Sequence, residues 1–175
     1  MTTIILGIDP GTNITGYGIV ELSNEGSLKY IHHEIIKTGL KNKYTKKLSV
    51  IFQTTQKIIE KFNPNHVAIE SVFFSVNAGT AIKLGQARGA AICACGNHEL
   101  NIYEYSPRKV KLILTDNGAS DKIELQRNVK KTLNIRRELE IDASDALAVA
   151  ICHAIIFNED KNNTFKIMEK RLFLY

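Results

Sequence analysis

Hydrophobic residues in the first forty positions predict three consecutive strands. Residues 3–8 form an unbroken apolar and β-branched run, which is typical of a strand buried on both faces, and residues 9–13 follow as a turn. Residues 15–22 alternate small or apolar positions, and a turn at 24–26 leads into a third run over 28–38. We expect these three strands to form an antiparallel meander.

Farther along the chain, apolar positions recur at helical spacing. Those between Tyr44 and Phe62 lie three and four residues apart, and a polar turn at 63–65 ends this helix before a fourth strand over 66–69. The remaining predicted elements are a helix over 77–95, a strand over 101–105, a short helix that starts at Ser106 and Pro107, and helices over 121–133 and 142–156. Small residues in the helix over 77–95 predict close packing, namely Gly85, Gly89, Ala90 and Ala94.

This order of elements predicts an α/β fold. Its core is a mixed five-stranded sheet, in which an antiparallel meander is extended by parallel strands and flanked by helices. The helix between the meander and the fourth strand favours a right-handed crossover, which places strand four parallel to strand one. We expect one domain over residues 1–157, followed by a C-terminal tail over 158–175 whose apolar spacing allows a helix.

Composition adds a preference for a polyanionic partner and for a reducing compartment. The 23 basic residues exceed the 18 acidic ones, so the formal net charge is +5, which suits nucleic acid. Cys93, Cys95 and Cys152 lack metal-ligand spacing and are expected to be small buried residues. The apolar N-terminus has no basic flank and stops at Asp9, so we predict no signal peptide and a cytoplasmic protein.

Four acidic residues stand at the boundaries of predicted elements. Asp9 follows strand one, Glu70 follows strand four, and Asp142 and Asp145 lie three residues apart at the start of a helix. Because the carboxyl ends of parallel neighbours meet at one edge of a sheet, Asp9 and Glu70 should be close together. Carboxylates held close repel each other unless a cation neutralises them. The four residues therefore predict a divalent-metal site.

Each acidic residue also has a simpler interpretation. Asp142 and Asp145 could satisfy free amides and the dipole at a helix start, an effect of about 1 kcal/mol. Asp9 alone could belong to an ordinary Asp-Pro-Gly turn, and Glu70 alone could be an exposed carboxylate at a strand end. The metal-site interpretation rests on the four residues together, and it is compatible with a capping role for the last two.

Several segments together resemble the RuvC family of Holliday-junction resolvases, in the family's order from Met1 to about Ile155. They are Leu6-Gly-Ile-Asp-Pro-Gly11 with Thr15-Gly-Tyr-Gly18, Ala68-Ile-Glu-Ser-Val-Phe73, the segment over 81–89, Glu104-Tyr-Ser-Pro-Arg-Lys-Val-Lys111, and Asp142-Ala-Ser-Asp-Ala-Leu-Ala-Val-Ala150. The resemblance implies an RNase H-like fold and a homodimeric endodeoxyribonuclease of DNA recombination and repair. Such enzymes cut two strands of a four-way junction symmetrically, leave ligatable nicks, and work with the RuvA–RuvB branch-migration complex.

The resemblance also implies roles for individual residues. Asp9, Glu70, Asp142 and Asp145 match the family's acidic positions and would hold two Mg²⁺ ions, for which Mn²⁺ substitutes, with Asp9 as the bridging ligand. In that two-metal scheme one ion lowers the pKa of the attacking water and the other stabilises charge on the leaving oxygen.

Three further positions match DNA-contacting residues of the family. Phe73 would stack on unstacked bases near the crossover, and Lys111 and Lys122 would lie near the cut phosphate. The simpler interpretations are a core aromatic residue for Phe73 and solvated helix faces for the lysines. The chain departs from the family at Asp116, where a glycine is usual, and Asp121 adds a second acidic group near this surface. Arg88 could contact DNA or orient a carboxylate.

Three other classes of protein share part of this pattern. Actin-like and sugar-kinase ATPases also carry Gly-Ile-Asp-x-Gly-Thr after strand one, but they need two lobes and a second phosphate loop, for which 175 residues leave no room. A non-enzymatic junction-binding protein predicts the loss of at least one of the four carboxylates. Another RNase H-like nuclease with a different nucleic-acid substrate stays open, because substrate choice depends on loops and dimer geometry.

Overall fold

The computed structural model describes residues 2–39, 43–71 and 78–172, with side chains as far as residue 162. In chain order its elements are β1 (Thr3–Asp9), β2 (Ile14–Leu22), β3 (Leu28–Lys37), α1 (Tyr44–Phe62), β4 (His66–Glu70), α2 (Ala78–Gly96), β5 (Ile102–Tyr105), α3 (Pro107–Thr115), α4 (Lys122–Thr132) and α5 (Ile141–Leu172).

The five strands form one mixed sheet in the order β3-β2-β1-β4-β5. β1 pairs antiparallel with β2, and β2 pairs antiparallel with β3, so the predicted meander is confirmed. β4 lies parallel to β1, and β5 lies parallel to β4, as the crossover helices require. The predicted α/β class with a mixed five-stranded sheet is therefore confirmed.

The sheet separates two hydrophobic cores. Alternate residues of β1 point to opposite faces, so Leu6 and Ile8 pack toward α1 and α2, whereas Ile5 packs toward α3, α4 and α5. All three side chains are fully buried. Burial on both faces explains why this strand is an unbroken apolar run in the sequence.

Glycines let α5 lie directly on β1 and β2. A Cβ atom at Gly7 would be 2.1 Å from the carbonyl oxygen of Ala146, and one at Gly18 would be 2.7 Å from the amide nitrogen of Leu147. Both distances are shorter than any real contact, so only glycine allows the helix to approach this closely. The region Ile141–Asn162 is apolar and long enough to cross a membrane, but 61% of its most apolar stretch is buried inside the protein.

One prediction about the helices is wrong, and another is confirmed only in part. The predicted end of the last helix at 156 is wrong, because α5 continues to Leu172; the polar segment after it contains no glycine or proline that would stop a helix. The predicted close packing by small residues of α2 is confirmed for Ala94, which is buried, and for Ala90, which packs against the core, but not for the two glycines. A Cβ atom added at Gly85 or Gly89 would have none of the described residues within 4 Å. The domain boundary at 157 stays a prediction.

A buried histidine joins α5 to the parallel edge of the sheet. His153 is 2% exposed, and its Nε2 atom lies 2.9 Å from Nδ1 of His66 on β4. Its Nδ1 atom lies 2.7 Å from the hydroxyl of Tyr105 at the end of β5. Burial lowers the pKa of His153 to about 4, so the ring is neutral at pH 7, with one nitrogen that donates and one that accepts.

Candidate active site

The carboxyl ends of β1 and β4 bring two acidic residues together. Asp9 is the last residue of β1, and Glu70 is the last residue of β4. The parallel register pairs Ile8 with Ile69, so the two acidic residues follow adjacent positions. The predicted proximity of Asp9 and Glu70 is confirmed by this geometry.

The start of α5 reaches the same edge of the sheet. Gly16, the β2 partner of Asp9, would place a Cβ atom 2.0 Å from the carbonyl oxygen of Asp142. This backbone contact fixes the first turn of α5 against the end of β1. Asp142 lies in that first turn, where its charge also complements the helix dipole, and Asp145 lies three residues farther along.

A cavity of about 190 Å³ opens between the sheet edge and the helices α3, α4 and α5. Its polar wall combines three carboxylates with two lysines: Asp9, Glu70, Asp145, Lys111 and Lys122. Pro107, Val110 and Leu125 form its apolar wall. Sequence reasoning missed this apolar wall, although helical spacing places Val110 and Leu125 on the core-facing sides of α3 and α4, next to the lysines.

Burial and mutual repulsion make the carboxyl groups hard to ionise. Burial raises the pKa of Asp9 to about 7, and the charges of Glu70, Asp145 and Asp142 contribute to this rise, in that order. Burial also raises the pKa of Glu70 to about 7, with Asp145 as the main additional cause. Ionised carboxylates in this cavity carry negative charge that the protein alone does not neutralise, so the cavity favours a cation.

One lysine supplies part of the missing positive charge. The Nζ atom of Lys122 donates to Oδ2 of Asp145 at 2.9 Å, and this hydrogen bond is the main reason why the pKa of Lys122 is raised. Lys122 also lowers the pKa values of Asp9 and Glu70. The lysine predicted to contact DNA therefore already contacts the acidic cluster.

Helix caps hold the two lysines at the cavity. Ser106 caps α3 by accepting from the amide of Lys109 at 3.1 Å, and this helix carries Lys111. Asp121 caps α4 by accepting from the amide of Glu124 at 2.7 Å, immediately before Lys122. The acidic Asp121 thus has a structural role, worth about 1 kcal/mol.

Asp116 occupies a turn that favours glycine. It ends α3 with a φ of 56°, in the left-handed region that aspartate tolerates better than most residues. Thr115 closes the turn with hydrogen bonds to the carbonyl of Asn117 and to Ser120. The backbone conformation accounts for the glycine that the resemblance leads us to expect at this position.

Phe73 lies outside the described residues. Arg88, another predicted residue, does not line the cavity. Arg88 on α2 forms an ion pair with Glu104 on β5, with 2.6 Å between Nη2 and Oε2. Arg88 therefore has an acidic partner on the sheet.

The acidic cluster suits a hard divalent cation. Carboxylate oxygens are the ligands that Mg²⁺ and Mn²⁺ prefer, and Asp9 and Glu70 combine burial with incomplete neutralisation. Within residues 2–39, 43–71 and 78–162, no three acidic, histidine or cysteine side chains already converge closely enough to hold a metal ion. Asp142 does not line the cavity, and Oδ2 of Asp145 is bound to Lys122.

Several known proteins with similar sequences belong to one family. The family model for crossover junction endodeoxyribonuclease RuvC matches residues 5–153. A protein of that name from Xanthomonas euvesicatoria is 43% identical over 152 residues, which cover 87% of each chain. Another, from Edwardsiella ictaluri, is 41% identical over 172 residues and covers 98% of this chain and 96% of its own.

A solved structure, Thermus thermophilus RuvC in complex with Holliday junction substrate, superposes with a TM-score of 0.78 at 28% identity, covering 87% of this chain and 93% of that one. The predicted RNase H-like architecture is therefore confirmed along with the predicted family. This chain belongs to the RuvC family of crossover junction endodeoxyribonucleases.

Proposed function

We propose that the acidic cavity is the active site at which this chain hydrolyses phosphodiester bonds of four-way DNA junctions. Family membership makes the chain a crossover junction endodeoxyribonuclease, and the T. thermophilus relative has been solved with a Holliday junction substrate. Symmetrical paired cuts that leave ligatable nicks, in recombination and repair, are the specific outcome that we propose.

The observation that carries this proposal is the composition of the cavity wall. Half-buried carboxylates line one small cavity together with Lys111 and Lys122. A phosphodiester needs positive charge around its oxygens, and a hydrolytic metal ion needs carboxylates within reach of the same phosphate. An ATPase of the actin or sugar-kinase type would require a second lobe, and the matched relatives have nearly the length of this chain.

We assign the divalent ions to Asp9, Glu70, Asp142 and Asp145. Mg²⁺ is the proposed ion, Mn²⁺ a substitute, and two ions per site the proposed number. When bound, such ions activate water and stabilise charge on the leaving oxygen. The carboxylates position this chemistry because α5 lies directly on the sheet, with close contacts at Gly7 of β1 and at Gly16 and Gly18 of β2, and β4 pairs with β1.

The chain's own cations hold the substrate. We assign Lys111 and Lys122 to the scissile phosphate, with Lys122 moving from Asp145 to the phosphate when Asp145 becomes a metal ligand. The side chain of Lys122 is 63% exposed and is therefore accessible to a phosphate from solvent, whereas the side chain of Asp145 is 14% exposed. Stacking of a junction base on Phe73 stays a proposal that rests on the resemblance.

A homodimer would supply the two active sites that paired cuts require. The outward face of α2, formed by Ile82, Gly85, Gly89 and Cys93, supports this proposal because it is apolar or small and includes Ile82 at 63% exposure. Glycines with open space above them would allow a second helix to approach closely. The RuvA–RuvB branch-migration complex as partner and a cytoplasmic location are proposed from the family alone.

Substitution of one ligand tests the assignment of the site. Asp9→Asn removes a metal-ligand charge but no DNA-facing cation, so cleavage of a synthetic four-way junction should be abolished while junction binding is spared. Gel-shift binding and strand-cleavage assays on the same preparation measure the two properties. Retained cleavage would overturn the metal-site assignment, and loss of binding together with cleavage would assign Asp9 to DNA contact or folding.

A further inference from the structure

A second cavity, which is basic, lies at the same edge of the sheet as the acidic cavity. Its volume is about 360 Å³, and it opens where the loop after β1 meets the first turns of α1 and α2. It is lined by Thr12, Asn13, Tyr44, Lys47, Thr80, Lys83 and Leu84. Each of these residues is neutral or basic, so the lining selects for an anion.

The two cavities flank the same loop from opposite faces of the sheet. The acidic cavity is built by α3, α4 and α5, whereas the basic cavity is built by α1 and α2, which pack on the other face. Thr12 and Asn13, which line the basic cavity, follow Asp9, which lines the acidic cavity, by three and four residues.

Hydrogen bonds fix the walls of the basic cavity. The Nζ atom of Lys47 donates to Oδ1 of Asn13 at 2.6 Å, and the hydroxyl of Tyr44 donates to the carbonyl oxygen of Lys83 at 2.9 Å. Thr38 holds the loop by donating to the carbonyl of Thr12 at 2.7 Å. The loop, α1 and α2 therefore form one preorganised wall, and binding of a ligand need not order them.

The local charge is positive beyond the lining itself. The first turn of α1 contains no acidic residue and no side-chain cap, and Lys43 and Lys46 precede Lys47 in sequence. The first turn of α2 also lacks an acidic residue. Lysines beside an uncompensated helix start attract phosphate more strongly than solvated lysines on a mixed surface.

We infer that this cavity binds a backbone phosphate of a second junction arm, one that is not cut in the neighbouring acidic cavity. The inference rests on the proposed function, because it takes the anion to be junction DNA. Phosphate contacts of this kind carry no sequence information, but they fix how the substrate is oriented. Two arms held on opposite sides of one loop would let the protein recognise a branched structure.

Salt-dependent binding tests this inference. Equilibrium binding of a four-way junction and of a linear duplex is measured in EDTA, over a range of salt concentrations, for the unsubstituted protein, K47A/K83A and K57A. Lys57 lies exposed on α1 outside the cavity, so K57A is the control for loss of a lysine elsewhere on that helix. We expect K47A/K83A to weaken junction binding roughly tenfold or more and to lower the salt slope by about two. Duplex binding and K57A should change much less.

Two further variants separate loss of charge from loss of structure. K47R/K83R keeps both charges and should restore junction binding, whereas the single K83A alters an exposed side chain and should lower the salt slope by about one. The inference is overturned if K47A/K83A binds the junction with unchanged affinity and slope, or if junction and duplex lose affinity equally.

Failure of this inference can be told apart from failure of the proposed function. The same unsubstituted preparation is assayed for junction cleavage with Mg²⁺, which depends on the acidic cavity. Cleavage with an unchanged salt slope in K47A/K83A overturns only the second contact. Absence of cleavage overturns the proposed function. Even then, a salt slope of junction binding that depends on Lys47 and Lys83, with no such change for the duplex, would support the phosphate contact in the basic cavity.

Discussion

Asp9 is destabilised in its charged form, chiefly by burial and then by the neighbouring carboxylates. Its pKa is raised to about 7, while an unfolded aspartate titrates near pH 4, so the folded protein binds the proton more tightly. The stability that this group contributes is therefore lost as pH rises between about 4 and 7. Above pH 7 without metal, the charged carboxylate destabilises the fold.

Asp9→Asn should accordingly stabilise the protein in EDTA at pH 8. We expect a gain of about 1–3 kcal/mol, less than the full pKa shift implies because solvent screens part of the repulsion. Urea unfolding measures this gain. Mg²⁺ should raise the melting temperature of the unsubstituted protein and have little effect on Asp9→Asn, because a ligand stabilises only the state that binds it. Equal effects of Mg²⁺ on both proteins would contradict the assignment.

Lys111 and Lys122 should matter more than other lysines. Lys111→Ala and Lys122→Ala remove cations from the wall of the cavity, so each should lower junction cleavage by about tenfold to a hundredfold. Lys130→Ala removes a charge from the last turn of α4 and should have at most about a twofold effect. Single-turnover cleavage rates measure the difference. Equal losses of cleavage rate in all three variants would show that Lys111 and Lys122 act only through the overall positive charge of the protein.

Residue types at the site could be predicted, but one of their contacts could not. Asp9 and Glu70 each follow an apolar run, and parallel pairing places such residues together. The bond between Lys122 and Asp145 joins residues 23 positions apart, across a turn whose path is set by tertiary packing. Local pattern carries no information about that path, so the lysine was predicted to face DNA alone.

Among the elements, α5 organises the fold because it contacts the sheet through backbone atoms. Apolar periodicity predicted the helix and its start within one residue. Gly16 and Gly18 were visible in the sequence, but only the structure shows that they receive α5. The glycines of α2 have the same appearance in sequence and face open space instead, because glycine allows close approach without specifying a partner.

The contact between α5 and the parallel strands should be sensitive to acid. The pKa of His153 is lowered to about 4 from an ordinary value of 6.5, so an unfolded chain binds the proton more tightly between these values. The stability that neutral His153 contributes to the fold is fully present above pH 6.5. It is lost as pH falls toward 4, by up to about 3 kcal/mol. Burial also lowers the pKa of His66, which acts in the same direction.

His153→Gln should reduce the loss of folding stability between pH 7 and pH 4. The raised pKa values of Asp9 and Glu70 act in the opposite direction over the same pH range, so the relevant quantity is the difference between variant and unsubstituted protein. Urea unfolding at about pH 4.5 and pH 7 measures it. The variant should be less stable at pH 7, because Tyr105 and His66 lose a partner. An unchanged pH dependence in the variant would contradict this account.

At the scale of the whole molecule, the exposed face of α2 predicts self-association. Ile82→Asp places a charge in that face and should convert a dimer to a monomer in analytical ultracentrifugation, with single nicks in place of paired cuts. Ile123→Asp is the matched control for the oligomeric state, since Ile123 on α4 is 61% exposed, against 63% for Ile82. A dimer that survives Ile82→Asp would place the interface elsewhere.

The whole fold was more predictable than the assembly. Element order, a right-handed crossover and strand pairing follow from local pattern and chain geometry, and the predicted strand pairing appears in the sheet. A dimer interface forms where two exposed surfaces are complementary. The hydrophobic pattern of the chain shows which positions are apolar, but it does not show which exposed face is complementary to a second copy. The basic cavity could not be predicted for a related reason. Lys47 and Lys83 line one cavity only because α1 and α2 pack together.

Cleavage of a synthetic mobile four-way junction, beside a linear duplex and an RNA–DNA hybrid of matching sequence, tests the central claim most directly. Each substrate is incubated with Mg²⁺, with Mn²⁺ and with EDTA, and the products are mapped and treated with ligase. We predict paired, metal-dependent and ligatable nicks in the junction alone. Cleavage of the duplex or hybrid instead, or junction binding without cleavage in either metal, would contradict the assignment of this chain as a junction resolvase.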